Sequence, residues 1–415
     1  MKRYETYKDS GIQWWEEIPT HWDLKKAKHI FSLVTENVSD SSLPKIALEN
    51  IESWTGKYIE TDSDFMGEGV EFKKDDILFG KLRPYLAKVY KAEFAGQAVG
   101  DIYVFRGNEE QNPEYLKYLL LSYPFISVVD GSTYGAKMPR ANWDFISHLV
   151  LPCPPKTEQV TIAAFLDHKV GKIDATIAEK EQMLEDLKNY RSAIISEAVT
   201  KGLDKNVEMK DSGIEWCGYI PIHWQVLKIG YIFQNLDYLR QPISSENRER
   251  NNPQYEYYGA SGVIDKIDSY NVNDKVLLIG EDGANLVSRT LPLIYKAEGK
   301  FWVNNHAHIL KPISSDYDYM AFLLETADYT NYITGSAQPK LSQEKLSSVK
   351  LPVPPIEEQK LIAKKLICIV PLIDRSLIEI EKIIKDLKSY KSALITEAVT
   401  GKIDLREWKP KKENV

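Results

Sequence analysis

Along two stretches the apolar positions keep one rhythm. Ile173, Ile177, Lys180, Leu184, Leu187, Arg191, Ile194 and Ala198 step by fours and threes, and Ile373, Leu377, Ile380, Ile384, Leu387, Lys391, Leu394 and Ala398 repeat the steps. That spacing predicts a coiled-coil seam carrying a cation at one matched position. Each stretch opens after a proline pair, Pro154-Pro155 (with Thr157 as the cap) or Pro354-Pro355, and closes near Gly202 or Gly401. Gly171 and Pro371 predict a break, so the reading is a short helix, a kink, and a long helix over 172–200 or 372–400. The stripes could instead be core against a globular neighbour, but their mutual match makes each the natural partner of the other.

The rest of the chain is also written twice. "KDSGIQWWEEIPTHW" from Lys8 returns as "KDSGIEWCGYIPIHW" from Lys210. Phe31 matches Phe233, "LPCPPKTEQ" from Leu151 matches "LPVPPIEEQ" from Leu351, and "DLKNYRSAIISEAVTKGLD" from Asp186 matches "DLKSYKSALITEAVTGKID" from Asp386. A direct duplication of a globular head and a helical segment follows. The expected layout is a head over 1–154, helices over 155–205, a second head over 206–354, helices over 355–405, and a tail over 406–415. The fold class is α+β, two globular domains held apart by an antiparallel pair of long coiled-coil helices with pseudo-two-fold symmetry. Such a helix spans roughly 40 Å, close to one DNA turn of ~34–36 Å.

The opening phrase reads as structural. Asp9-Ser10-Gly11 and Asp211-Ser212-Gly213 are turn chemistry, and Ile12, Trp14, Ile18 and Trp22, with Ile214, Trp216, Ile220 and Trp224, are packing anchors that tether each head to its helix. His21 and His223 are read as structural too. Between the anchors the heads diverge: "ALENIESWTGKY" from Ala47 and "YEYYGASGVIDKIDSY" from Tyr255 have no twins. Correspondence returns only at "DDILFGK" beside "NDKVLLIGE" and "VYKAE" beside "IYKAE".

Composition narrows the class. The 415 residues are 43% hydrophobic and 27% charged, as in an ordinary soluble protein. No apolar run is long enough for a membrane span, the start has no signal-peptide core, and the expected location is the cytoplasm. Cys153, Cys217 and Cys368 are scattered and odd in number, which argues against a disulfide framework or a zinc cluster. The net charge of −7 offers no general attraction to phosphate, so any nucleic-acid contact must be local.

Catalytic motifs are missing. No phosphate-binding Gly-x-x-x-x-Gly-Lys-Ser/Thr loop is present. Asn112-Pro113-Glu114-Tyr115 and Asn252-Pro253-Gln254-Tyr255 echo a methyltransferase loop but lack its second proline, and an asparagine cap before a helical proline explains the earlier copy. His306 and His308 fall on one face of an expected strand, without a third metal ligand. The catalytic and metal sets are empty, and the chain reads as a binding protein.

Polar residues in glycine- and proline-punctuated stretches are the candidate reading surfaces. The first head offers Lys81 and Arg83 in "FGKLRPYLAK", and Tyr134, Lys137, Arg140 and Asn142 in "STYGAKMPRANW". The second offers Ser336, Gln338, Lys340 and Ser342 in "ITGSAQPKLSQ", Ser261 and Gly262 in the Gly259–Gly262 loop, and Asn304, Asn305 and His306 on an otherwise apolar strand. Such loops can approach a phosphate and present a side chain to a base edge. Taken one at a time, each is also what a solvated turn looks like.

Together, "DSGI-W---IP-HW", "LP-PP--EQ", "LK-Y-SA-I-EAVT", "YYGASGVID" and "FWVNNHAHIL" resemble the specificity subunit of a type I restriction-modification enzyme across essentially the whole chain. The resemblance implies two target recognition domains, each reading one half of a bipartite and asymmetric double-stranded DNA target. It also implies two modification subunits, which carry S-adenosylmethionine and methylate adenine, and restriction subunits that use ATP and magnesium. No cofactor is expected in this chain. The competing reading is a coiled-coil scaffold with two protein-binding heads, which salt-sensitive, sequence-selective duplex binding would disfavour.

Overall fold

The structure, a computed structural model, describes residues 2–38, 42–61, 68–133, 138–248 and 253–410. The long helices run without interruption, Lys156–Lys201 and Ile356–Val399. The expected break at Gly171 and Pro371 is absent. A glycine in a helix interior costs only about 1 kcal/mol, which the rest of the helix outweighs. Pro371 removes a bond to the carbonyl of Ile367, but both residues are exposed, so the lost bond is not a buried one. Thr157 lies inside the first turn rather than capping it, and the amides of Glu158 and Gln159 donate to the Pro155 carbonyl.

The chain forms two compact units, residues 1–182 with 381–415, and residues 183–380. In the first, the opening part of one long helix runs antiparallel to the closing part of the other, since Asp174 meets Lys391 and Glu181 meets Lys388, each at 2.9 Å. In the second unit Arg191 meets Asp374 at 2.5 Å. Every seam position is buried or half-buried.

The heads share a four-stranded antiparallel sheet. Its order in the first is Phe31–Val34, Ile102–Gly107, Ile77–Gly80 and Val89–Lys91. In the second it is Phe233–Asn235, Ala307–Pro312, Val272–Gly280 and Ile294–Val303. Register is kept: Ile77 faces Lys91 as Leu277 faces Lys296, so the faint "VYKAE" and "IYKAE" echo is a real equivalence. Ile77, Leu78 and Phe79 are all buried, as in a strand covered on both faces. The divergent segments extend this frame differently. Tyr255–Gly259 and Gly262–Ile267 widen the second sheet to six strands, whereas the first head builds a separate four-stranded sheet from Asn37–Val38, Gly69–Phe72, Gly96–Ala98 and Lys45–Ile46.

The repeated opening fastens each head to a helix. The Trp22 indole donates to Glu158 at 3.0 Å, and His21 lies 2.6 Å from the same carboxylate; Trp224 and His223 treat Glu358 likewise. The next residue holds the capping residue of a helix in the head. Gln159 accepts the Asn112 amide and Gln359 the Asp316 amide, each at 2.8 Å. Asn112 in turn caps Pro113–Leu121. Asp9 and Ser10 accept the amides of Gly11 and Ile12, and Asp211 and Ser212 repeat the turn. One anchor differs from expectation: Trp15 and Cys217 are buried, while Trp14 and Trp216 are only half-buried. The described part of the tail, 406–410, also belongs to the fold, because Trp408 packs edge-on against Phe165 at 5.4 Å.

Candidate nucleic-acid interface

In the first unit the two candidate stretches form one corner. The strand Ile77–Gly80 runs out into Lys81, Leu82 and Arg83, and these meet Pro139, Arg140 and Ala141 side by side. The Arg83 amide donates to the Pro139 carbonyl and the Ala141 amide to the Lys81 carbonyl, each at 2.8 Å. Arg140 is therefore held on both sides by backbone bonds. Its guanidinium forks onto Asp101, with Nε and Nη2 each 3.1 Å from a carboxylate oxygen. Lys81 Nζ lies 3.8 Å from Asp101 and over the Tyr103 ring. Arg83 is exposed and takes a left-handed backbone, φ 52°, a conformation that non-glycine residues adopt at a cost and that clusters at functional positions. The Asn142 carbonyl oxygen caps the helix Trp143–His148, which commits one of its polar atoms. Tyr134 and Lys137 lie outside the described residues.

The second unit rebuilds this corner with other side chains. Gly283 donates to the Pro339 carbonyl at 3.0 Å and Leu341 to the Glu281 carbonyl at 2.8 Å. Lys340 occupies the Arg140 position, and its ammonium reaches Glu281 at 3.1 Å. The Glu281 amide donates to the His306 carbonyl as the Lys81 amide donates to the Asp101 carbonyl, at 2.8 and 2.9 Å. Here the carboxylate stands at the strand end, in the Lys81 position; in the first unit it is Asp101, in the position of His306.

More candidate elements converge here. Asn304, Asn305 and His306 are not on a strand; they form the turn between Ile294–Val303 and Ala307–Pro312. The strand pattern misled because buried Asn304 spends its carbonyl on the His306 amide and folds the turn. Asn305 and His306 are exposed, and His306 Nδ1 lies 2.8 Å from Asp282. The Asn304 amide binds the Tyr258 carbonyl, bringing in the Gly259–Gly262 loop, where Ser261 is exposed. Gly262 has φ 90°, and a Cβ there would lie 2.6 Å from the Tyr295 ring. Ser336 and Gln338 are exposed on the loop leading to Lys340, and Ser342 caps the helix Gln343–Ser348.

Charged residues beneath the corner were not visible in the sequence. Arg240 donates to Glu281 and to the carbonyls of Asn305 and Ala307, the last two at 3.3 and 3.4 Å. His308 is fully buried, with Nδ1 2.6 Å from Asp237 and Nε2 2.7 Å from the Leu341 carbonyl. Burial pushes the Asp237 carboxyl up, but His308 and the Ile309 and Asn235 hydrogen bonds outweigh it and hold it below the ordinary range. Burial likewise opposes Glu281, and Arg240 and Lys340 bring it below the usual value. Both are anionic near neutrality and share Arg240, and Glu281 also holds the exposed Lys340. The signal in the sequence was an acidic residue at the end of an apolar strand, but its partners lie too far away in the chain to be paired by spacing. The two histidines have separate carboxylate partners, and no group of three metal-ligating side chains occurs among the described residues.

Each corner sets exposed cations and small polar groups on backbone that is clamped from behind, which suits contact with phosphates and base edges. Comparison with known proteins gives the family. The model of the type I restriction modification DNA specificity domain matches residues 29–187 and 221–386. The chain is 24% identical, over 96% of its length and 98% of the relative's, to a Methanocaldococcus jannaschii protein provisionally named the type I restriction enzyme MjaX specificity subunit. It is 25% identical to the Escherichia coli type I restriction enzyme EcoDI specificity subunit over 44% of this chain and 42% of that one. Its fold is similar to that of a chain solved in work on complex assembly and conformational transition of the type I R-M system, with a TM-score of 0.73, 15% identity, and 93% and 99% of the two chains covered. It is also similar to the HsdS subunit from Thermoanaerobacter tengcongensis, with a TM-score of 0.52, 16% identity and 93% and 98% covered. With both repeats matched, the chain belongs to the type I restriction-modification DNA specificity family and is a non-catalytic, DNA target-recognition subunit.

Proposed function

We propose that each unit reads one half of a bipartite, asymmetric DNA target, through Lys81, Arg83 and Arg140 in the first and through Ser261, Asn305, His306 and Lys340 in the second. The observation that carries this is the corner itself, where the Arg83–Pro139 and Gly283–Pro339 backbone bonds repeat while the side chains change. One backbone frame with two sets of side chains is what two different half-sites require.

The paired helices set the number of unspecified bases between the half-sites. Two modification subunits carrying S-adenosylmethionine methylate adenine at the site, and restriction subunits using ATP and magnesium cut, in the cytoplasm. A base-resolution map of N6-methyladenine in host DNA, with and without this gene, tests the reading. Loss of methylation at one split motif is the expected result. An unchanged map in a host whose modification subunit is expressed would sink it.

A further inference from the structure

Asp101 has no place among the candidate reading residues, yet it controls the most directional of them. A guanidinium offers five N–H groups in one plane. Arg140 spends its Nε and one Nη2 hydrogen on the two Asp101 oxygens. The Nη1–Nη2 edge is left, and in a planar group its direction is fixed once the opposite edge is held. The Arg140 backbone is also held, between the Pro139 and Ala141 bonds. The Asp101 backbone is held in its turn, because its carbonyl accepts the Lys81 amide at 2.9 Å, and Lys81 Nζ lies 3.8 Å from the carboxylate. The Arg140 side chain nonetheless remains 51% exposed. A charged fork that is already oriented by a carboxylate on its own chain, and open to solvent, matches a flat pair of acceptors. In the major groove that pair is guanine O6 and N7.

The geometry points to Asp101 as a specificity-positioning residue: it aims Arg140 so that the first unit requires a guanine at one position of its half-site. This rests on the first unit being a DNA half-site reader. Asp101 touches no base itself, and its effect is on which base is accepted. The second unit shows the contrast. Lys340 on Glu281 is a point charge on a flexible stem, without a fork to aim.

The test compares the assembled complex containing wild-type chain, Asp101→Asn or Arg140→Lys, with modification subunits present. Each is offered a duplex library randomised across both half-sites, and the methylated sequences are counted. One bidentate contact discriminates roughly 5- to 150-fold between bases. Wild type is expected to require guanine at one position, and Asp101→Asn to cut that preference several-fold at that position alone. Arg140→Lys keeps the charge and should relax the same position. Glu281→Gln, in the other unit, should leave it untouched.

A wild-type half-site lacking any guanine in either strand overturns the inference, as does unchanged base preference in both variants. Uniformly slower methylation with the same preference also overturns it, since a merely structural Asp101 would give that result. Failure of wild type to select any split motif would instead strike the underlying reading of the unit.

Discussion

The Lys391 ammonium donates to the Asp174 carboxylate at 2.9 Å, and Arg191 and Asp374 make the same contact 200 positions away on each side, with the roles of the two helices exchanged. Burial pushes Asp174 up, but Lys391 and Lys57 overcome it and hold the carboxyl below its ordinary range. A depressed carboxyl contributes stability above the unfolded value, about 3.9, and that contribution is lost as pH falls through the folded value. Denaturation of the chain from pH 7 to 3 should therefore show an acid limb that Asp174→Asn flattens. Asp174→Ala, which strips the partner from a buried lysine, is expected to cost about 2–3 kcal/mol, at the low end for such pairs because both groups keep some solvent.

Glu158 receives the Tyr4 hydroxyl, the Trp22 indole and His21 in one place. Glu158→Ala leaves two buried donors without an acceptor and should cost roughly 2–4 kcal/mol. Glu158→Gln, which retains one carbonyl, should cost less. Thermal unfolding followed by tryptophan fluorescence measures both.

Gly262→Ala places a methyl against the Tyr295 ring in a left-handed backbone. The strain should displace the Gly259–Gly262 loop, at roughly 1–3 kcal/mol. Selection on randomised duplexes should then show lower stringency in the half-site of the second unit, with the other half-site intact.

Arg140→Ala and Lys340→Ala each remove a cation from a solvent-facing corner. Each should weaken duplex binding by the assembled complex and lower the slope of log affinity against log salt by about 1 if the contact is to phosphate. The two substitutions should act on different half-sites. An unaltered slope and affinity in both would remove these residues from the interface.

Lengthening both long helices by the same number of residues should change the count of unspecified bases in the target and leave both half-sites unchanged. A change of half-site with a constant spacer would show that the helices do not set the spacing.

The sequence by itself determined the duplication, the helical seam and the attachment of each head. These are periodic or repeated features, carried by residues close together in the chain or written twice, such as Ile173 with Ile177 or Trp22 with Trp224. It also placed Lys81 and Arg140 among the candidates, as two separate stretches. Only the tertiary structure joined them, because the strand end at Lys81 and the loop at Arg140 meet through backbone bonds that leave no trace in side-chain pattern. Asp101, Arg240 and the Asp237–His308 pair were hidden for the same reason: a charged residue declares its partner only when folding brings the two within hydrogen-bond distance. The expected break in each helix failed on the opposite ground. Gly171 and Pro371 are local breakers, and a long helix with a buried or half-buried stripe, Ile173 to Ala198 or Ile373 to Ala398, overrides a local preference of a few kcal/mol.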